Sequence, residues 1–285
     1  FLSKFEVEVG RLTKKFPGLR EALKRIRGIK IMGNEITFNW GGDDRLNFAF
    51  LLEALDDWAE NKVVLVLDEA QELVKLRGAD LLGPLAYSYD NLGRLKVILS
   101  GSEMGLLYRF LRIEDPDSPL FGRFISRIEL SPFNREKAVE FLSTGFKELR
   151  LSEIDYDKVY EELGGIPGWL TYFGYTYYET KDLRSSLENT LEHARSLIAK
   201  EFSNFLRGRD AAKQRYYTIM KQIARNGCSR WSWIKTALEA QAGTTVSDSV
   251  IHNYLKALVE TSWLTKDEEG YCTPEPLIKR TFSGR

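Results

Sequence analysis

The sequence predicts an α/β protein: a parallel-sheet core in the first half, an all-helical stretch behind it, and a terminal unit of three helices and a hairpin. Three observations predict this. Val63-Val64-Leu65-Val66-Leu67 is an unbroken apolar run, the pattern of a strand buried on both faces of a parallel sheet. Lys96-Val97-Ile98-Leu99 is a second such run, and the residues between them have helical periodicity. From Asn134 onward the apolar spacing becomes helical and stays so almost to the end.

Composition narrows the functional classes. A chain of 285 residues accommodates two or three domains, and 43% apolar residues suffice to build cores. Lys plus Arg equals Asp plus Glu at 41 each, so net charge argues for neither nucleic acid nor membrane as a partner. No apolar run is long enough to span a bilayer, and no signal peptide is seen. Cys228 and Cys272 are far apart in the sequence and have no metal-like spacing. The expectation is a reducing, cytoplasmic setting with no disulfide framework. Two histidines, His193 and His252, are too few for a zinc site.

Residues 11–27 form an amphipathic pattern around Leu12, Phe16, Leu19, Leu23 and Ile26, with a break expected near Phe16 because of Pro17. Ile29–Ile31 and Glu35–Trp40 flank Gly33-Asn34 and read as a hairpin. Asp43 or Asp44 can cap the next helix, whose apolar face is Leu46, Phe50, Leu51, Ala54, Leu55 and Trp58. After Val63–Leu67, residues 70–77 and 79–91 read as helices. The second strand follows and ends in Ser100-Gly101-Ser102, with a short helix at 103–112. Glu114-Asp115-Pro116-Asp117-Ser118-Pro119 is a loop, and Ile125–Leu130 reads as a third strand. Helices are expected at 134–148, 155–163, 168–179 and 182–206, then at 211–226, 231–242 and 248–260. A hairpin around Asp267–Gly270 follows, and these last elements describe a winged helix. The domain division expected is 1–132, 133–208 and 209–285.

The chemistry-bearing stretch is Leu67-Asp68-Glu69. In parallel sheets flanked by helices, ligands sit outside the carboxyl ends of the strands, and both carboxylates lie there. A strand that delivers Asp-Glu to that edge is the Walker B arrangement of nucleoside triphosphatases. Asp68 would hold the Mg²⁺ shell and Glu69 would orient or deprotonate the attacking water. The other reading is a core strand followed by acidic residues suited to a helix N-terminus.

Four stretches together carry a family resemblance: Val64–Gln71, Ile98–Ser102, Ser118–Arg123 and Gly164-Gly165-Ile166-Pro167. In this order, ahead of a winged helix, they resemble the archaeal ATPase family, a signal-transducing (STAND) branch of the AAA+-type P-loop ATPases. The resemblance covers nearly the whole chain. It implies a P-loop NTPase core, a helical lid and a winged helix acting as an ATP-driven switch, with ATP and Mg²⁺ as cofactors. It implies Asp68 and Glu69 as Walker B and Ser100 or Ser102 as the residue sensing γ-phosphate. It also implies Arg123 as an arginine finger, and Gly165 and Pro167 as lid residues at the nucleotide, with Pro167 against the adenine. Further implications are an ADP state, a DNA or protein partner for the winged helix, and nucleotide-dependent oligomerisation. Each residue also has a plainer reading: a strand-end hydroxyl capping the helix from Glu103, an Arg123 salt bridge to the 114–117 loop, and a glycine helix stop before a proline restart.

One departure is large. No Gly-x-x-x-x-Gly-Lys-Ser/Thr occurs, although the family needs such a loop to cradle the phosphates. Truncation, a degenerate ATPase and a different fold would each account for this; the other motifs and the Phe1 start favour truncation. The expectation is that these residues alone do not hydrolyse ATP. Two strand edges should also stay unpaired where the P-loop strand would lie.

The alternative is a non-enzymatic winged-helix DNA-binding or adaptor protein. His252, Asn253 and Lys256 would face outward on the third helix of that unit. Residues 211–285 hold eleven Lys and Arg against seven Asp and Glu, but the Asp267-Glu268-Glu269 turn opposes phosphate contact.

Overall fold

The structure, a computed structural model, describes residues 2–32, 35–39, 48–75, 81–102 and 104–283. The Gly33-Asn34 turn, the Asp43/Asp44 cap, Leu46 and Glu103 lie outside the described residues. The chain divides into two compact units, Phe1–Ser126 and Arg127–Arg285.

The first unit begins with helices α1 (Leu2–Lys15) and α2 (Pro17–Lys24). Phe16 breaks them with an extended backbone (φ −127°, ψ 91°), and Pro17 takes the first helical position, where its missing N–H costs nothing. Strands β1 (Ile29–Met32) and β2 (Glu35–Phe38) pair antiparallel as the hairpin spacing predicts. Helix α3 (Phe48–Trp58) buries Phe48, Leu51 and Leu52, whereas Phe50, expected on the apolar face, is half exposed. Strand β3 (Val63–Leu67) is followed by a 3₁₀ turn at Ala70–Lys75 where a helix was expected, then by α4 (Leu82–Asn91). Strand β4 (Leu95–Leu99) pairs parallel with β3 from Val63↔Leu95 to Leu67↔Leu99, and α5 (Met104–Leu111) follows. Asp56 Oδ1 on α3 accepts from the backbone amides of Arg94 and Leu95 at 2.7 and 2.6 Å, fixing where β4 starts.

Two expectations fail here. The Val63–Leu67 run is not buried on both faces. Leu67 and Leu95 join the core with Leu51, Leu52, Leu85 and Leu107, but Val64, Val66 and Ile98 on the other face are 53%, 56% and 51% exposed. Residues 125–130 form no strand, and Ile128 and Leu130 are 82% and 92% exposed. A strand without a paired neighbour leaves its backbone groups to water and is not stable alone. Among the described residues the parallel sheet has two strands, and no segment pairs with 125–130.

The second unit is helical: α6 (Arg135–Glu148), α7 (Tyr156–Leu163), α8 (Pro167–Thr180), α9 (Leu183–Phe205), α10 (Lys213–Asn226), α11 (Trp231–Ala242) and α12 (Asp248–Glu260). Polar caps set three of the starts. Asn134, Asp155 and Asp182 accept from the amides of Lys137, Lys158 and Ser185 at 2.9, 3.0 and 2.7 Å. A three-stranded sheet, β5 (Cys228–Ser229), β6 (Thr265–Asp267) and β7 (Gly270–Cys272), runs in the order β5-β7-β6, and α13 (Pro276–Ser283) closes the unit. Strand β5 and helix α13 were not visible in the sequence pattern. One continuous core runs through this unit, from Leu142 and Phe173 to Phe202, Ile223, Leu255 and Leu277. The cysteine expectation also fails: Cys228 and Cys272 are directly opposite in the β5–β7 ladder and are joined as a disulfide.

Candidate functional site

Parallel pairing in register brings the carboxyl ends of β3 and β4 side by side. Ser100 N donates to Leu67 O at 3.0 Å and Ala70 N donates to Ser100 O at 2.8 Å, so Ser100, one residue past β4, ties the two strand ends together. Two acids and two hydroxyls converge there. Ser100 Oγ donates to Asp68 Oδ1 at 2.5 Å, and Ser102 Oγ donates to Glu69 Oε2 at 2.8 Å. Both hydroxyls point across to the carboxylates.

Glu69 is held by more than Ser102. Its backbone is left-handed at φ 51°, a region costly for a side chain with a Cβ. Its own N–H donates to Asp68 Oδ1 at 3.1 Å. Gln71 Nε2 donates to Glu69 Oε2 at 2.5 Å from a side chain only 5% exposed, leaving Gln71 Oε1 buried without a hydrogen-bond partner. Gly101 makes room for that amide, since a Cβ at 101 would lie 2.5 Å from Gln71 Oε1. Sequence reasoning gave Gln71 no role. Its position two residues after Glu69, next to a Gly between two serines, is the signal that could have found it.

The cluster offers oxygen donors only. Asp68 and Ser100 are hard ligands that suit Mg²⁺, and the exposed carboxylate of Asp68 is open to a hydrated ion. Glu69, aimed by two donors, can accept a proton or orient a water.

Arg123 belongs to a different set of contacts. Its guanidinium forks onto Asp90 of α4, Nε to Oδ1 at 3.0 Å and Nη2 to Oδ2 at 2.5 Å, and also donates to Pro119 O. The plainer reading of Arg123 as partner of the 114–117 loop is thereby corrected, because Arg112 takes Asp115. The Arg123 fork holds the Asp90 carboxyl below its usual range. Arg123 also lines an open cavity of about 480 Å³ with Glu114, Phe124 and Ile125.

In the second unit, Gly164 ends α7 at φ 73° and Pro167 starts α8 at its first position, exposed. Gly165 is buried against Phe133, whose N–H donates to Gly165 O at 2.8 Å; a Cβ at 165 would stand 1.8 Å from Phe133 O. The glycine stop and proline restart are therefore what this backbone does. His252, Asn253 and Lys256 are exposed on α12, opposite its buried Ile251, Leu255 and Leu258. Asp267 accepts from the amides of Glu269 and Gly270 at 2.8 and 3.2 Å, so its charge is turned into the hairpin turn.

Residues 3–173 match the family described as the ATPase domain predominantly from Archaea, and residues 210–274 match the MCM protein C-terminal winged helix-turn-helix domain. Among solved structures the chain is similar to the Walker-type ATPase of Pyrococcus abyssi, at 31% identity and a TM-score of 0.80, over 99% of this chain and 79% of that one. No curated protein matches it.

Proposed function

The chain belongs to the ATPase family found predominantly in Archaea, and from that premise we propose that it is the switch portion of an ATP-hydrolysing protein. The observation that carries this reading is the pairing of Asp68 with Ser100 and of Glu69 with Ser102 at the joined carboxyl ends of two parallel strands. Asp68 holds the hydration shell of Mg²⁺, which when bound neutralises phosphate charge. Glu69 orients the attacking water and accepts its proton, held in place by Ser102 and Gln71. Ser100 or Ser102 is the hydroxyl that reads the γ-phosphate, and Arg123 supplies a planar donor fork to it once released from Asp90. Gly165 and Pro167 form the lid's nucleotide contact. The phosphate-cradling loop comes from outside these 285 residues, which hold no Gly-Lys-Ser/Thr.

In this reading residues 1–132 are the ATPase core, 133–208 the lid and 209–285 the winged helix, in a cytoplasmic protein that oligomerises with nucleotide. Among the described residues no helix is long and apolar enough to cross a membrane. Calorimetry tests the assignment: these residues alone should bind Mg·ATP weakly or unmeasurably, and micromolar binding would overturn the claim that the phosphate loop lies elsewhere.

A second reading, a DNA-binding or adaptor winged helix, draws on the exposed His252, Asn253 and Lys256. A gel shift whose strength falls steeply with salt would support it.

A further inference from the structure

We infer that Cys228 and Cys272 form a reversible dithiol–disulfide clasp that controls the wing of the second unit. The two residues face each other across an antiparallel ladder. The adjacent bond, Thr273 N to Gly227 O at 2.8 Å, makes theirs a non-hydrogen-bonded pair, the site where facing side chains come closest. The β5–β7 ladder is only two residue pairs long, and the covalent link adds to the hold that buried Tyr271 and the Thr273–Gly227 bond give the hairpin β6–β7 at the end of α10.

The surroundings suit both redox states. Cys272 Sγ lies 3.2 Å from Asp267 Oδ2. A sulfur already bonded to sulfur has no hydrogen to give, so this contact is a hydrogen bond only in the dithiol state. When the clasp opens, the freed Cys272 thiol therefore has an acceptor waiting. The two sulfurs differ in access: Cys228 is partly exposed and Cys272 is 5% exposed. Cys228 is thus the sulfur that exchanges with solution thiols, and Cys272 is the resolving partner.

The chemistry needs a low-molecular-weight thiol and its disulfide. In reduction, a small thiolate attacks Cys228 Sγ, the S–S bond breaks, and its electron pair leaves on Cys272 Sγ, which takes a proton and donates it toward Asp267. A second small thiolate attacks the small-molecule sulfur of the mixed disulfide and releases Cys228, which is protonated in turn. Two small thiols become one small disulfide, and the clasp gains two electrons and two protons.

The test equilibrates the 285-residue chain in graded mixtures of reduced and oxidised glutathione, quenches with acid, alkylates free thiols and reads intact mass. Hydrogen exchange over 265–273 is followed in the fully oxidised and fully reduced chains. The two thiols should disappear together as one two-electron couple, and exchange at 271–273 should rise at least ten-fold on reduction. Glutathione should form its adduct faster at Cys228 in Cys272→Ser than at Cys272 in Cys228→Ser. Both thiols staying alkylatable in excess oxidised glutathione would overturn the clasp, as would exchange indifferent to redox state. With the thiols reduced, Cys228, Asp267 and Cys272 bring three ligand atoms within 4.8 Å of one another. Protection of both thiols by micromolar zinc would replace the clasp with a cation site.

Discussion

The Ser102 hydroxyl donates to Glu69 Oε2 over 2.8 Å, and Gln71 reaches the same oxygen from the other side. One carboxylate oxygen is thus gripped by two side chains. In the protein that carries the phosphate loop, Glu69→Gln should leave ATP binding nearly intact and reduce turnover by a factor on the order of 10²–10⁴, the range for general acid–base work. Asp68→Asn should also weaken Mg²⁺-dependent binding. Steady-state hydrolysis alongside nucleotide titration checks both, and wild-type turnover in Glu69→Gln would remove Glu69 from the chemistry.

Arg123 and Asp90 form a two-point ion pair that a lysine cannot reproduce. If the guanidinium also serves the nucleotide, Arg123→Lys should slow hydrolysis about as much as Arg123→Ala, with ADP binding unchanged. If its task is only to hold α4, Lys should hydrolyse normally and Ala should lower the melting temperature slightly. The pH dependence has a definite sign. The Asp90 carboxyl titrates below its ordinary value because Arg123 is bonded to it. Its contribution to stability is therefore complete above that ordinary value and is lost as pH falls through the lowered one. Arg123→Ala should flatten this part of an acid-unfolding curve.

Gly165→Ala places a methyl group where the Phe133 carbonyl already stands. Overpacking of this kind costs about 1–3 kcal/mol, and here it also breaks the Phe133–Gly165 backbone bond. Urea unfolding of the second unit should show that loss. An unchanged midpoint would mean that the backbone at Phe133 moves aside freely.

Glu275 carries a carboxyl pushed up by burial, with one oxygen lacking a partner and the Trp169 indole as a favourable contact. Because the folded value lies above the unfolded one, folding is unpenalised below the ordinary Glu range. It loses stability as pH rises through the raised value. Glu275→Gln keeps an acceptor for Trp169 and removes the buried charge. Its melting temperature at neutral pH should rise, because the buried carboxyl no longer has to ionise. The gain should vanish in acid.

Much of this molecule is legible locally. The break at Phe16, the β1–β2 hairpin, the Gly164 stop and the Pro167 restart all follow from residues adjacent in sequence. The Asp68-Glu69 pair was readable for the same reason, as a strand meeting its end. What could not be read depends on distant partners. Cys228 and Cys272 are brought together by a two-residue ladder too short to show a pattern, and Asp90 meets Arg123 only after α4 has folded back. Residues 125–130 have strand-like composition, yet composition does not supply a neighbour. Gln71 looked like any helix glutamine until Gly101 gave it space.

The uncovered face of β3–β4 has a thermal consequence. Val64, Val66 and Ile98 are already hydrated in the folded chain. Unfolding cannot expose apolar surface that water already covers, and the heat-capacity increment of unfolding follows newly exposed apolar area. The first unit should therefore fall short of the usual increment of about 12–15 cal/mol/K per residue, while the second unit, with its continuous core, should reach it. Its stability curve is correspondingly flat, so it should be indifferent to moderate cooling and should melt over a broad range. A partner that dries that face would sharpen the transition without changing a single bond inside the unit.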